Sequence, residues 1–427
     1  MGRELTKRHS LLFERKLPNP AAFLRDIYKY GKARELMSFV VWELLHRLRL
    51  FPRAQYLAFS DEKGVSLENQ SLADPVFRGQ LATLFGSRGL GLVAADHNWK
   101  LRFNAPNQGG IFGCQYPDDR DLYAAPDAAQ SPRLLYRFPD AIKSIFVSSR
   151  NTVFVCVRGG LYRSSDGGRS FKKAFDFASP ESFFRHNNAM AETAGHTLVV
   201  GEYGNVWQKS GWRPLAYLYL SADDGETWQK TDFLIRLGAN KHVHLVMYSG
   251  SLRKLFVADG DNRKRLWVSD HLHASDLVDP RNWKLINKFH IQMGGYTSVA
   301  ETDKSILFGT DYQGGTNFVV ETTDGLVYRK RIVPDPYRRS PIDNMVQRRS
   351  SQGHEVWANL PYSAPGTRCL LMHTRDNGKR WTRLIEYSRA THKVWLISSG
   401  SEVGTDLYFS IDDIRRGERA VYRVADA

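Results

Sequence analysis

The stretch Leu218–Thr231, LYLSADDGETWQKT, decides the fold. It sets Ser221, Asp223, Gly225 and Trp228 at fixed spacing, and the pattern returns twice. Ser164, Asp166, Gly168 and Phe171 make one copy, and Thr374, Asp376, Gly378 and Trp381 another. Degenerate copies surround Asp270 and Asp324. A hydroxyl and a carboxylate placed this way can bond a turn's own amides, and glycine can take the positive φ the turn needs. The aromatic opens the next strand and can pack between neighbouring sheets. The motif therefore reads as structural, and its aspartates are left out of any catalytic role.

Each copy lies between the third and fourth of four short strands. IKSIFVSS, TVFVCV, LYRSSDGGRSF and KKAFDF form one such unit, and comparable units follow through to TRLIEY near residue 386. Four strands per period of about fifty residues is the signature of a β-propeller. The last unit, KVWLISS, DLYFSID and AVYRVAD, has three strands only. RLLYRF, just before the first full unit, is expected to supply the missing outer strand, which gives six blades. If GIFGCQY and DLYAA belong to a blade of their own, the count is seven. The expected fold is thus all-β, a propeller over residues 91–427 preceded by a basic helical segment and connector over residues 1–90.

The repeated residues resemble the Asp-box (BNR) repeat of sialidase-like β-propellers, over about residues 133–425. In that family the boxes lie on the face opposite the active site. The family's Arg-Ile-Pro-like tripeptide does not precede Asp166 here. Arg185 and Arg339, the arginines placed at the other face, fall short of the family's arginine triad, so the resemblance implies the fold more than sialidase activity.

In the 427 residues, 42 % are hydrophobic and 25 % charged, as in ordinary globular chains. The formal charge of +15 points to an anionic partner. Three cysteines in no metal-ligand spacing argue against a disulfide framework and suit a reducing compartment. The opening residues carry an apolar run too short and interrupted for a signal peptide. Residues 23–48 place apolar side chains near helical spacing around Gly31. In the first 54 residues, 12 Lys or Arg face 5 Asp or Glu. A helical cap packed on the main domain is the leading reading of this segment, and a peripheral contact with an anionic membrane the second. The expected location is cytoplasmic, at most peripheral to a membrane. No motif interleaves basic and aromatic residues as nucleic-acid binding would require.

In a propeller the first strand of each blade starts, and the second ends, on one face, where loops converge and ligands usually bind. Reading those positions gives Arg185, His186, Glu202 and Tyr203 in one unit. His242, His244, Asp259 and Asp261 follow in the next, then Tyr296 and Asp311, then Asp343 and Tyr362. Glycoside hydrolysis needs two carboxyl groups flanking the scissile bond. Glu202 and Asp311 are the preferred pair, with Asp259 and Asp261 as further candidates. Arg185, His186, His242, His244, Tyr203 and Tyr296 would bind substrate. The leading functional expectation is a glycoside hydrolase acting on an acidic bacterial oligo- or polysaccharide, without cofactor. A non-catalytic glycan- or protein-binding propeller comes second. A lyase holding a divalent metal at His186, His242 and His244 comes third.

Overall fold

The computed structural model describes residues 20–426, apart from 30, 32, 107–109, 128–129, 209–210, 240, 260–264, 287–294, 313, 363–365 and 400–405. Seven four-stranded antiparallel sheets follow one another along the chain. Their inner strands are Trp99–Asn104, Ile142–Val147, Met190–Glu192, Val243–Ser249, Gly295–Glu301, Asn344–Ser350 and His392–Leu396, and they number blades one to seven. The propeller is as expected; the blade count is seven. Blade one is the unit that GIFGCQY and DLYAA suggested, with Arg133–Arg137 as its own outer strand rather than the strand that closes the ring. Closure falls instead to Leu90–Ala94, which pairs antiparallel with Tyr422–Asp426 on the outside of blade seven. Ser398–Ser399 adds a second link, parallel to Arg102–Phe103 of blade one.

The reason for the sheets is visible in burial. The second and third strands of each blade are sandwiched between neighbouring sheets and read as near-continuous apolar runs. Val153–Val157 is buried at every position, and so is Arg265–Ser269. The turns between third and fourth strands then set the register. Ser221 Oγ donates to Asp223 Oδ1 at 2.8 Å and accepts from the Gly225 amide at 2.8 Å. Asp223 Oδ1 also accepts from the Thr227 amide. Ser164 with Asp166 and Thr374 with Asp376 repeat the arrangement. Gly168, Gly225 and Gly378 have φ of +88°, +85° and +79°, where a Cβ would be strained.

Among the described residues two helices open the chain, α1 over Pro20–Lys29 and α2 over Ala33–Arg47, with Gly31 at φ +61° between them. A third, α3, covers Pro75–Gly86 and buries Phe77, Leu81 and Phe85 beside blades six and seven. Between α2 and α3 the chain is more than a connector of helix and loop. Ala58–Phe59 and Val65–Ser66 extend blade six, both parallel to its outer strand Arg380–Tyr387. Among the described residues no helix is long and apolar enough to cross a membrane.

Candidate functional site at the channel mouth

The inner strands surround a central channel of about 380 Å³, lined by Phe103, Phe146, Asn188, Glu192, Tyr248 and Glu301 among others. Because alternate strands run in opposite directions, the Ser/Thr-Asp-Gly turns lie at one end of the blades. Glu192 and Glu301 of the cavity wall end their strands on the turn side, whereas the starts of the inner strands lie at the other end, beside Arg185 and Asp343.

At that mouth a single turn before blade three separates two neighbours. The Ala189 amide bonds the Arg185 carbonyl at 3.0 Å, which directs Arg185 and His186 differently. Arg185 Nη2 donates to the Asp343 carbonyl oxygen at 3.0 Å and to its Oδ1 at 3.2 Å. The guanidinium lies 5.6 Å from the Tyr203 ring centre, and its side chain is 14 % exposed. Burial alone would weaken the cation. The charges of Asp343, Tyr203 and Asp311 outweigh that and raise its pKa. Among the described residues, Nε and Nη1 of Arg185 have no protein acceptor.

On the next blades Tyr362 and Arg389 continue the arc. The Arg389 guanidinium stands 4.9 Å from the Tyr362 ring centre and 5.5 Å from that of Trp395, and it donates to the Pro361 carbonyl. Burial pushes the Tyr362 phenol up to about 12, and the Asp343 and Asp311 charges push the same way against Arg389. At neutral pH the Tyr362 phenol therefore keeps its proton.

His186 belongs to the channel wall. Its Nδ1 accepts from the Ile145 amide at 3.1 Å, so Nε2 carries the proton and donates to the Arg102 carbonyl at 3.2 Å. Burial pushes its pKa down to about 4. His242 and His244 do point together, with Nε2 atoms 2.8 Å apart. His242 Nδ1 donates to the Gly204 carbonyl, and its ring stacks at 3.9 Å from Tyr203. Two facing Nε2 atoms share one proton, so the pair is a hydrogen-bond chain behind Tyr203. The three histidines are not brought together as a metal site, and among the described residues no group of three potential ligands is.

Glu202 is placed apart from Asp311. Its side chain is fully enclosed between blades two and three, where Oε2 accepts from the Tyr219 hydroxyl at 2.7 Å and the Ala178 amide at 3.2 Å. Asp259 is likewise fully buried and accepts from Trp267 Nε1 at 2.7 Å. Tyr296 packs edge-on against Phe308 in the blade core. Asp261 lies outside the described residues. Of the expected site residues the structure therefore gathers Arg185, Tyr203 and Asp311 at the mouth, with His242 and His244 behind them. Asp343, which had been read only as a mouth position, makes the closest ion pair with Arg185. Arg389 was not foreseen. Its signal was its place just before the inner strand of the last unit.

Burial is the chief cause that raises the Glu202 carboxyl above the ordinary glutamate value. A carboxyl with a raised folded pKa stabilises the fold below its unfolded pKa, and this contribution is lost as pH rises through the folded one. Glu202→Gln keeps an acceptor for Tyr219 and Ala178 and carries no charge. The variant is expected to melt close to the native chain at pH 4 and above it at pH 8. Identical melting differences across that range would refute a buried, proton-binding Glu202.

No family model and no curated protein matches the chain. Solved structures do. A catalytically inactive virginiamycin B lyase from Staphylococcus aureus with quinupristin is 12 % identical, at a TM-score of 0.52 over 79 % of this chain and 98 % of that one. A chain of a mitotic checkpoint complex is 11 % identical, at a TM-score of 0.50 over 78 % and 93 %. The likeness is one of fold. An enzyme and a component of a protein assembly share it, so function has to be argued from the site. These findings overturn the sialidase-like Asp-box assignment. The ring has seven blades, no such family model matches, and these solved structures are not sialidases. Three Ser/Thr-Asp-Gly turns stabilise a local hairpin and can arise in any propeller that needs one. The carbohydrate activity implied by the resemblance falls with it.

Proposed function

We propose that this propeller is an enzyme that holds a small carbonyl- or carboxylate-bearing molecule at the channel mouth and performs acid–base chemistry on it. The observation that carries the reading is Arg185: a nearly enclosed guanidinium, fixed by Asp343, with N–H groups still unspent. Such a cation suits a planar oxygen pair and would stabilise negative charge developing on it. Asp311 is the proton acceptor, and Tyr362, protonated at neutral pH, is the donor to a departing oxygen. Hydrolysis of an ester or lactone, or elimination beside a carbonyl, would use these groups in the same roles. The virginiamycin B lyase agrees with a small-molecule substrate but lends no residue.

The test uses a panel of hydroxy acids, their esters and lactones, with binding followed by calorimetry and products by mass spectrometry. The native chain is expected to bind at least one member. Arg185→Ala is expected to weaken that binding about 100-fold, with Arg185→Lys between the two because a lysine cannot make the paired contact. Products heavier by one water would mean hydrolysis, and unsaturated products elimination. An Arg185→Ala chain that melts normally and binds as tightly as the native one would sink the proposal. Binding without any product would leave a receptor in place of an enzyme.

A further inference from the structure

The helical segment ahead of the ring has a sharply divided surface. On its inner side α2 is bolted to the loop before blade six: Glu43 bonds Arg338 Nη1 at 2.6 Å and Arg339 Nη2 at 2.7 Å. His46 bonds Asp335 at 2.7 Å, and Trp42 stacks on Phe51 and meets Phe318 edge-on. Burial would raise the Glu43 carboxyl, but the two arginines hold it below its ordinary value, so the anchor is ionic. The outer side is the opposite. Leu24 and Tyr28 on α1, and Met37, Val40, Leu44 and Leu48 at or just beyond α2, are 40–86 % exposed. Their spacing of three and four residues makes one stripe along each helix. Arg25, Arg47 and Arg49 are exposed around the stripe, while Asp26 and Glu43 are buried.

We infer that this outer face of α1 and α2 docks on an anionic lipid surface. An apolar stripe bordered by exposed cations, with both buried carboxylates turned inward, fits acyl chains and anionic headgroups at once. A second copy would set like charge against like charge. Neither helix spans a bilayer, so the contact is interfacial. The docked helix shares its anchoring loop with Asp343: Arg338 and Arg339 lie a few residues before it. Lipid binding would therefore fix the propeller through the loop that carries part of the mouth. The inference stands independently of the chemistry proposed there.

The full chain is to be sedimented with vesicles of phosphatidylcholine alone and with phosphatidylserine added. It is expected to bind the mixed vesicles only, and several-fold less when salt rises from about 0.1 M to 0.5 M. Leu44→Glu with Leu48→Glu, both on exposed positions, is expected to lower binding at least tenfold. Val76→Glu, equally exposed but on α3, should leave it unchanged. Absence of the native chain from the mixed vesicles would overturn the inference, as would equal binding by the double variant. So would a dimer, seen by light scattering, that the double variant dissolves, because a second copy would then cover the stripe.

Discussion

Replacing Glu355 by alanine is expected to cost about 3–5 kcal/mol of folding stability, the range for removing one partner of a buried ion pair. Glu355 and Arg348 are both fully enclosed. Glu355 accepts from Arg348 Nη1 at 2.8 Å, Arg375 Nε at 2.8 Å and Trp357 Nε1 at 3.0 Å. Arg348 then reaches Asp426, on the last strand of blade seven, at 2.6 Å. One network therefore ties the inner strand of blade six to the strand against which the ring closes. Alanine leaves the Arg348 guanidinium buried with one carboxylate fewer. A denaturant titration should show the midpoint falling at unchanged slope. Arg348→Met with Glu355→Leu should lose less than Glu355→Ala alone, since it leaves no fully enclosed charge unpaired; Arg375 and Asp426, which each lose a partner, are partly exposed. Burial alone would raise the Glu355 carboxyl, but Arg348, Trp357 and Arg375 hold it low. Its contribution is thus present above the ordinary glutamate pKa and is lost as pH falls through the folded value. A loss below about 1 kcal/mol at neutral pH, within the range of exposed pairs, would contradict this account.

Trp381→Ala is the second large effect, again about 3–5 kcal/mol. The indole is fully buried among Leu57, Leu307, Ala358 and Met372, and its Nε1 donates to the Gly378 carbonyl at 3.2 Å. The added strand Ala58–Phe59 pairs with Arg380–Trp381, so the same residue holds the ring to the segment before it. Trp228 occupies the equivalent place in its own turn, with the matching bond to the Gly225 carbonyl at 3.0 Å, but is only half-buried. Trp228→Ala should therefore cost less, roughly 1–3 kcal/mol by the area it covers. Equal losses at the two positions would mean that the turn's hydrogen bond, not burial between blades, sets the value of the aromatic.

The local chemistry of the chain was legible along its length. Ser221, Asp223, Gly225 and Trp228 dictate a turn through their own side chains and one positive φ. Runs such as Val153–Val157 announce strands buried on both faces. The mouth residues Arg185, Tyr203 and Asp311 were found because strand direction alone decides which loops share a face. What escaped was everything set by closure. RLLYRF reads as the strand that seals blade seven and Leu90–Ala94 carries no strand reading, yet the ring closes with Leu90–Ala94. A strand's sequence states that it needs a partner but not which partner.

Side-chain direction at a strand end was hidden for the same reason. Glu202 and Asp311 hold equivalent places in their blades. Glu202 turns between sheets to meet Tyr219, whereas Asp311 faces the mouth, where its charge acts on Arg185. The family resemblance failed because a repeated turn reports the needs of one hairpin, not the number of blades around it. The sequence by itself determined a β-propeller and the face where its polar loops converge, since hydrogen bonding and apolar burial act over a few neighbouring residues. The tertiary structure decided the seventh blade, the closing strand and which carboxylates meet the guanidinium, because those depend on residues far apart in the chain that only ring closure brings together.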